Sequence, residues 1–294
     1  MKGRSSNEFS IDPSASIRAG SIKIGRKSTI CKDVVITCPG SFEIGPCSYI
    51  GPGTCISCWD FKAGSYLFLE ERVEIGMGGC LQGPDSTVTM GNMVFCGVDV
   101  IINPSKPVSI GNGCGIGCRA AIWTHGAWNS ILDGYPAAFA PVTIGKNVWL
   151  TGCSNVLPGI TIGDGAVVGM MSLVNKDLPT GCLAGGVPVK VLKRDCYPKK
   201  LSGEEQGIIL DKLLEEYRND AHSRGLHPFV KRDGSRLLID RVLLDTISLT
   251  ESGESTELSE DLRDYLRRHG VRILTGKPFR RIQHPVLRNL LEEQ

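Results

Sequence analysis

From Ile144 to Val174 an apolar residue returns at every sixth position. Ile144, Leu150, Val156, Ile162, Val168 and Val174 each open a hexad that soon turns through glycine, proline or another small residue. An amphipathic helix repeats about every 3.6 residues and a half-buried strand every two, so neither predicts this period. A fixed repeat makes each unit one short turn of structure that buries its apolar side only by stacking on the next. The beat recurs upstream in threes: Ile24, Ile30 and Ile36; Ile44, Ile50 and Ile56; Met90, Cys96 and Ile102; Ile110, Ile116 and Ile122. Three six-residue sides make one coil of a triangular prism, a β-solenoid with strands about 4.8 Å apart. Positions four after the apolar one are often small (Ser28, Ser48, Thr54, Cys114, Ala120, Ser154, Ala166, Ser172), which suits a crowded corner. The run Ala184–Val191 breaks the beat and is expected to close the stack.

After Asp195 the pattern changes, which predicts a solenoid domain over 1–195 and a small α+β domain over 196–294. Ser202-Gly203-Glu204-Glu205 resembles a capping box, and Leu210, Leu213, Leu214 and Tyr217 follow at helical spacing. Residues 236–245 read as a strand pair or one long strand. Ser259 is expected to open a helix running to Gly270, Val271–Leu274 to form a short strand, and Pro285 to start a last helix.

Of the five histidines only His125 lies within the solenoid, and it sits where the beat fails. Ile122 and Ile144 are 22 residues apart where three hexads take 18, so a loop is thrown out of the repeat. Loops on rigid scaffolds are usual places for function. An imidazole there suits proton transfer at neutral pH.

The hexads, Asn147-Val148-Trp149-Leu150, the run Leu157–Asp164 and the closing Gly186-Val187-Pro188-Val189-Lys190-Val191 resemble the left-handed β-helix acyltransferases. The likeness is to their maltose, galactoside and polysaccharide O-acetyltransferase branch, over roughly residues 11 to 195. Left-handed coiling is what the resemblance implies, since parallel crossovers are ordinarily right-handed. It also implies transfer of acetyl from acetyl-CoA to a sugar hydroxyl, on a saccharide precursor of surface polysaccharide or a related glycoside. His125 then matches the family's general base. Asp99 stands where the family places an amide near the acceptor, and Trp123, Trp128, Asn129 and Tyr135 share the loop and are candidates for the acceptor pocket. Gly152 and Met170 match the positions whose backbone amides meet pantetheine, with Asn175 and Lys176 on the same edge and Lys190 and Lys193 placed for the nucleotide phosphates. Met170-Met171 departs from the family's usual Ala-Gly, which puts groove width and acyl preference in question. Such enzymes are usually homotrimers with sites shared between subunits.

Composition narrows the alternatives. A net charge of +2, with no basic run interleaved with aromatics, gives no argument for nucleic acid. The start lacks the apolar core of a signal peptide and no stretch approaches a membrane span, so a cytoplasmic protein is expected. Twelve cysteines, all between Cys31 and Cys196, include one Cys-x-x-Cys pair, Cys55 and Cys58, with no second. They read as small, buriable corner residues, and no metal is expected. A γ-type carbonic anhydrase needs three zinc-binding histidines, and one in the solenoid counts against it. An N-acetyltransferase acting on an amino sugar and a non-catalytic trimeric scaffold remain as the other readings.

Overall fold

The computed structural model describes residues 8–280 and 282–284. The chain divides between Lys199 and Lys200 into two compact units.

The first unit is a parallel β-solenoid. Most of its sides hold only two or three extended residues, because each hexad must also turn a corner. Face one stacks Thr29–Ile30, Tyr49–Ile50, Phe68–Leu69, Phe95–Cys96, Gly115–Ile116, Trp149–Leu150, Val167–Val168 and Leu183–Gly185, in parallel register. Face two carries Ile36, Ile56, Ile75, Ile102, Ile122, Val156 and Val174 one above another. Face three carries Ile44, Ala63, Met90, Ile110, Ile144 and Ile162. The inward residues of the first two faces are buried almost completely and make one continuous core. One coil escapes the apolar triplets of the sequence: Ala63, Leu69 and Ile75 keep the spacing, with an alanine where the other coils carry a larger side chain.

All eight small corner residues are buried. Their hydroxyls need partners there, since an unpaired buried donor is costly. Ser48 Oγ donates to Gly45 O at 2.7 Å, Ser154 Oγ to Thr151 O at 2.8 Å, and Ser172 Oγ to Gly169 O at 2.6 Å. Many outward corner positions take a left-handed conformation without glycine, as at Arg72, Asp99, Arg119, Cys153 and Met171. At the end of the stack Lys190–Lys193 folds back antiparallel on Leu183–Gly185 and covers the last edge of face one.

The beat understates the insert that carries His125. Only one corner is turned between Trp123 on face two and Val142 on face three, and 18 residues, 124–141, fill it. One coil below, four residues, 104–107, turn the same corner between Asn103 and Val108. A second insert, 76–86, leaves this corner between Ile75 and Thr87, and the hexad reading passes over it.

The second unit packs two helices, α1 (Gly203–Ser223) and α2 (Glu257–Arg268), with a four-stranded antiparallel sheet. The capping box at Ser202 and Glu205 is formed. Residues 236–245 make two strands, Arg236–Ile239 and Val242–Asp245, between Val230–Asp233 and Thr250–Ser252. Helix α2 starts two residues before Ser259, with Thr256 as cap and Ser259 returning the hydrogen bond. The expected strand over Val271–Leu274 is absent: Ile273 is buried in the core, and its carbonyl accepts from Arg263 Nη1 at 3.2 Å instead of from a neighbouring strand. The expected helix from Pro285 lies outside the described residues.

Candidate active site

His125 follows the last residues of face two and pairs briefly with the returning limb of its loop, His125 opposite Phe139 and Gly126 opposite Ala138. Phe139 stacks on the imidazole, with ring centroids 5.6 Å apart. Below the ring lies Asn103, the end of face two one coil down and fully buried. Its Oδ1 is 2.7 Å from His125 Nδ1, and its Nδ2 donates to the carbonyls of Met77 at 2.6 Å and Gly78 at 3.3 Å. Ser105 Oγ lies 3.1 Å from the same Nδ1 and accepts from Leu81 N at 3.0 Å. Thr124 Oγ1 donates to Asn103 O at 2.7 Å and accepts from Lys106 N at 2.9 Å, which ties the two coils together. Three successive turns of one corner thus converge on this ring.

The insert 76–86 fills the space beside the imidazole's far edge. Gly79 lies beside His125 Nε2, 4.0 Å from where a Cβ on it would stand, and that nitrogen has no hydrogen-bond partner among the described residues. Gly76 has φ of +84°, and a Cβ there would lie 1.6 Å from Ser57 O, so only glycine starts this insert. Lys106 Nζ pairs with Asp85 Oδ2 at 2.7 Å and pins the insert's far end.

The other loop residues named from the sequence make no hydrogen bond or ring contact with the His125 side chain. Trp123 donates its ring N–H to Asn155 Oδ1 at 3.4 Å, on the coil above. Trp128 is 95% exposed and Leu132 93%, at the outer end of the loop, and Asn129 and Tyr135 are exposed there too. Ser130 caps the short turn Ile131–Asp133 and Gly134 ends it with a left-handed φ of 81°.

Asp99 belongs to a different corner, between faces one and two. Its carboxylate accepts from Arg72 Nε at 2.7 Å and pairs with Arg119 Nε at 3.5 Å. The Arg72 guanidinium, and Arg119 after it, hold this carboxyl below the usual carboxylate range. Two coils higher on the same corner stand Cys153 and, above it, Met171. Cys153 N donates to Cys118 O at 2.9 Å and Met171 N to Gly152 O at 3.1 Å. The amides of Gly152 and Met170, next to this ladder, donate to nothing among the described residues. Met170 is 68% exposed, and its methyl would lie 3.8 Å from a Cβ at Gly152, so the side chain lies across the column. Asn175, Lys176, Lys190 and Lys193 are exposed on the upper coils.

None of the twelve cysteines is in a disulfide, and six are buried. Burial pushes the Cys96 thiol up to about 12, so it is inert. Cys118 and Cys153 are exposed, against the expectation of buried corner residues, because they occupy the outward positions of the corner beside Gly152. Cys55 meets Met77 Sδ at 3.7 Å, while Cys58 is buried and hydrogen-bonded with Cys38, so the Cys-x-x-Cys pair does not share a site. Among the described residues no group of three or more His, Cys, Asp or Glu could hold a metal, and no helix is long and apolar enough to cross a membrane. A cavity of about 400 Å³ lies in the second unit, lined by Glu257, Glu260, Lys277 and Phe279 among others, and contains none of the residues above.

Asn103, Ser105, Phe139 and Gly79 are the site residues the sequence reading missed. The available signals were a polar residue ending an apolar strand, at Asn103, and the glycine-rich stretch Gly76–Gly83 where the beat stalls.

Parts of this chain are similar in sequence to acetyltransferases. Over 85 residues it is 39% identical to a chloramphenicol acetyltransferase of Morganella morganii, covering 29% of this chain and 38% of that protein. Over 110 residues it is 30% identical to the galactoside O-acetyltransferase of Escherichia coli K12, covering 37% of this chain and 54% of that protein. A solved hexapeptide-repeat acetyltransferase of Vibrio cholerae, complexed with acetyl coenzyme A, aligns at 23% identity over 49% of this chain and 69% of its own, with a TM-score of 0.35. The chain therefore spans between 38% and 54% of the two curated relatives. No protein-family model matches it.

Proposed function

We propose that the protein is an acetyl-CoA-dependent O-acetyltransferase, working in the cytoplasm on a sugar hydroxyl, with His125 as general base. The observation that carries the reading is the imidazole itself: Nδ1 is engaged by a buried amide at 2.7 Å while Nε2, beside Gly79, has no hydrogen-bond partner among the described residues. A sugar hydroxyl is a poor nucleophile at neutral pH, and a base that takes its proton as it attacks contributes typically about 10²–10⁴-fold. His125 Nε2 takes that proton, the hydroxyl oxygen adds to the thioester carbonyl, and the resulting oxyanion collapses with loss of the CoA thiolate. The imidazolium returns the proton to that thiolate. The unpaired amides of Gly152 and Met170 suit the pantetheine arm, with the exposed Lys190 and Lys193 toward the nucleotide phosphates.

The donor column and His125 lie on different corners of the prism, which flank face two and are on the order of 15–20 Å apart for a six-residue side. A second copy that sets its His125 corner against the donor corner of the first completes a site, and a closed ring of three satisfies every such pairing. In that arrangement Asp99 lies on the donor side of the site and offers its remaining lone pairs to acceptor hydroxyls.

Thiol release from acetyl-CoA, read across mono- and oligosaccharides and amino sugars, tests this reading. Acceptor-dependent release that disappears in His125→Ala is expected. Release confined to amino sugars would make the enzyme an N-acetyltransferase, and full release in the variant would remove His125 from the chemistry.

A further inference from the structure

We propose that Asn103 is a positioning residue that locks His125 in the tautomer with a bare Nε2, an inference that rests on the acetyltransferase reading above. The argument is one of donors and acceptors. Backbone carbonyls only accept, so the Asn103 side chain must turn its NH₂ toward Met77 O and Gly78 O, at 2.6 and 3.3 Å. That leaves Oδ1, which also only accepts, facing His125 Nδ1 at 2.7 Å. Nδ1 must therefore carry the ring's hydrogen. A neutral imidazole has one, so Nε2 holds a lone pair, and Nε2 is the ring nitrogen with no hydrogen-bond partner among the described residues.

Among the described residues Ser105 is the other group at Nδ1: its O–H could donate to a bare Nδ1, but Asn103 Oδ1, 2.7 Å away, would then face that lone pair with no hydrogen between them. Ser105 Oγ, 3.1 Å from Nδ1, already accepts from Leu81 N, and its remaining lone pair is compatible with the same Nδ1–H. Asn103 and Thr124 are both fully buried, so water does not compete for the amide. The two carbonyls come from the glycine-rich start of the insert 76–86, where Gly78 holds φ of +70°. The insert thus fixes the amide, the amide fixes the tautomer, and the tautomer decides which nitrogen can take a proton. Unlike the carboxylate of a histidine–carboxylate pair, an amide orients the ring without adding a charge that favours the imidazolium.

The first test needs no variant. In protein labelled with ¹⁵N-histidine, the His125 ring nitrogens, identified by their disappearance in His125→Ala, should show a protonated Nδ1 and a bare Nε2 above the imidazole titration. A protonated Nε2, or two tautomers in exchange, overturns the proposal. The second test is Asn103→Ala, with folding checked by its thermal transition. Both tautomers should then be populated and kcat should fall about 10- to 100-fold, with KM for acetyl-CoA within about threefold of wild type. If kcat stays within threefold while His125→Ala is inactive, Asn103 does not position the base and the function above still stands. If His125→Ala keeps acceptor-dependent release, both fail.

Discussion

Two corners of one prism, on either side of face two, are made from the same repeat and present opposite kinds of chemistry. Between faces one and two no insert interrupts the turns, and each hands a backbone N–H to the coil below, from Asp99 through Arg119 and Cys153 to Met171. Its turns repeat the main chain at strand spacing, and side chains as different as Asp99, Arg119, Cys153 and Met171 stand at the same position. Between faces two and three the turns are broken twice, by 76–86 and 124–141, and the corner shows side chains held by buried partners. A regular corner suits a long, repetitive ligand such as a pantetheine arm. A proton transfer needs one ring at one angle, which the repeat alone cannot supply.

The sharpest way to break this comparison is His125→Ala. Acceptor-dependent turnover should fall by about 10²–10⁴-fold. CoA affinity by calorimetry should stay within twofold, because the ring belongs to the other corner. A joint loss of CoA binding would show the corners to be one structural unit. Gly152→Trp should do the reverse, weakening CoA at least about tenfold by filling the column over the unpaired amides. At acetyl-CoA well below the weakened affinity each variant alone should turn over little, but refolded together at equal ratio they should regain about a quarter of wild-type activity if each site takes one corner from each of two copies. No recovery would place both corners' work within one chain.

The same contrast explains what could be read from the sequence. The hexads from Ile144 to Val174 are visible because each inward residue repeats one environment, and they fix the stack, its closure at Lys190–Lys193 and the regular corner. His125 stood out because it lies where the beat fails. Asn103 did not, because a polar residue at the end of Ile101–Asn103 earns its place from Met77 and Gly78, 26 and 25 residues away, through hydrogen bonds that leave no period. The loop aromatics are the opposite case: Trp128 has the right chemistry for a sugar face and was visible in the sequence, and in the single chain it is 95% exposed, so a contact for it has to come from outside the chain.

A smaller effect sharpens the donor side. Met170 lies over the Gly152 column, so Met170→Ala should widen it. The ratio of kcat/KM for butyryl-CoA to that for acetyl-CoA should rise about 10-fold, since a methylene or two in an apolar pocket is worth about 1–3 kcal/mol. An unchanged ratio would put the acyl group elsewhere.

Asp99 gives the smallest effect and the finest distinction. It stands on the regular corner in a left-handed conformation, φ +59°, which asparagine also tolerates, so Asp99→Asn tests the charge and little else. Arg72 and Arg119 each take one of its oxygens, at 2.7 and 3.5 Å, and lone pairs remain for an acceptor. If those lone pairs hold a sugar hydroxyl, the variant should raise acceptor KM about three- to fivefold with kcat and the acetyl-CoA KM unchanged, the mark of binding lost equally in ground and transition states. Because Arg72 lowers this carboxyl's pKa, Asp99 is ionised at every pH above the ordinary carboxylate range. Its ion pairs therefore stabilise the fold fully there and are lost as pH falls through the lowered value. The wild type and variant should accordingly differ in thermal midpoint at neutral pH and converge in acid. A difference in midpoint with no change in acceptor KM would leave Asp99 as a pin of the regular corner, and acceptor recognition would then belong wholly to the broken one.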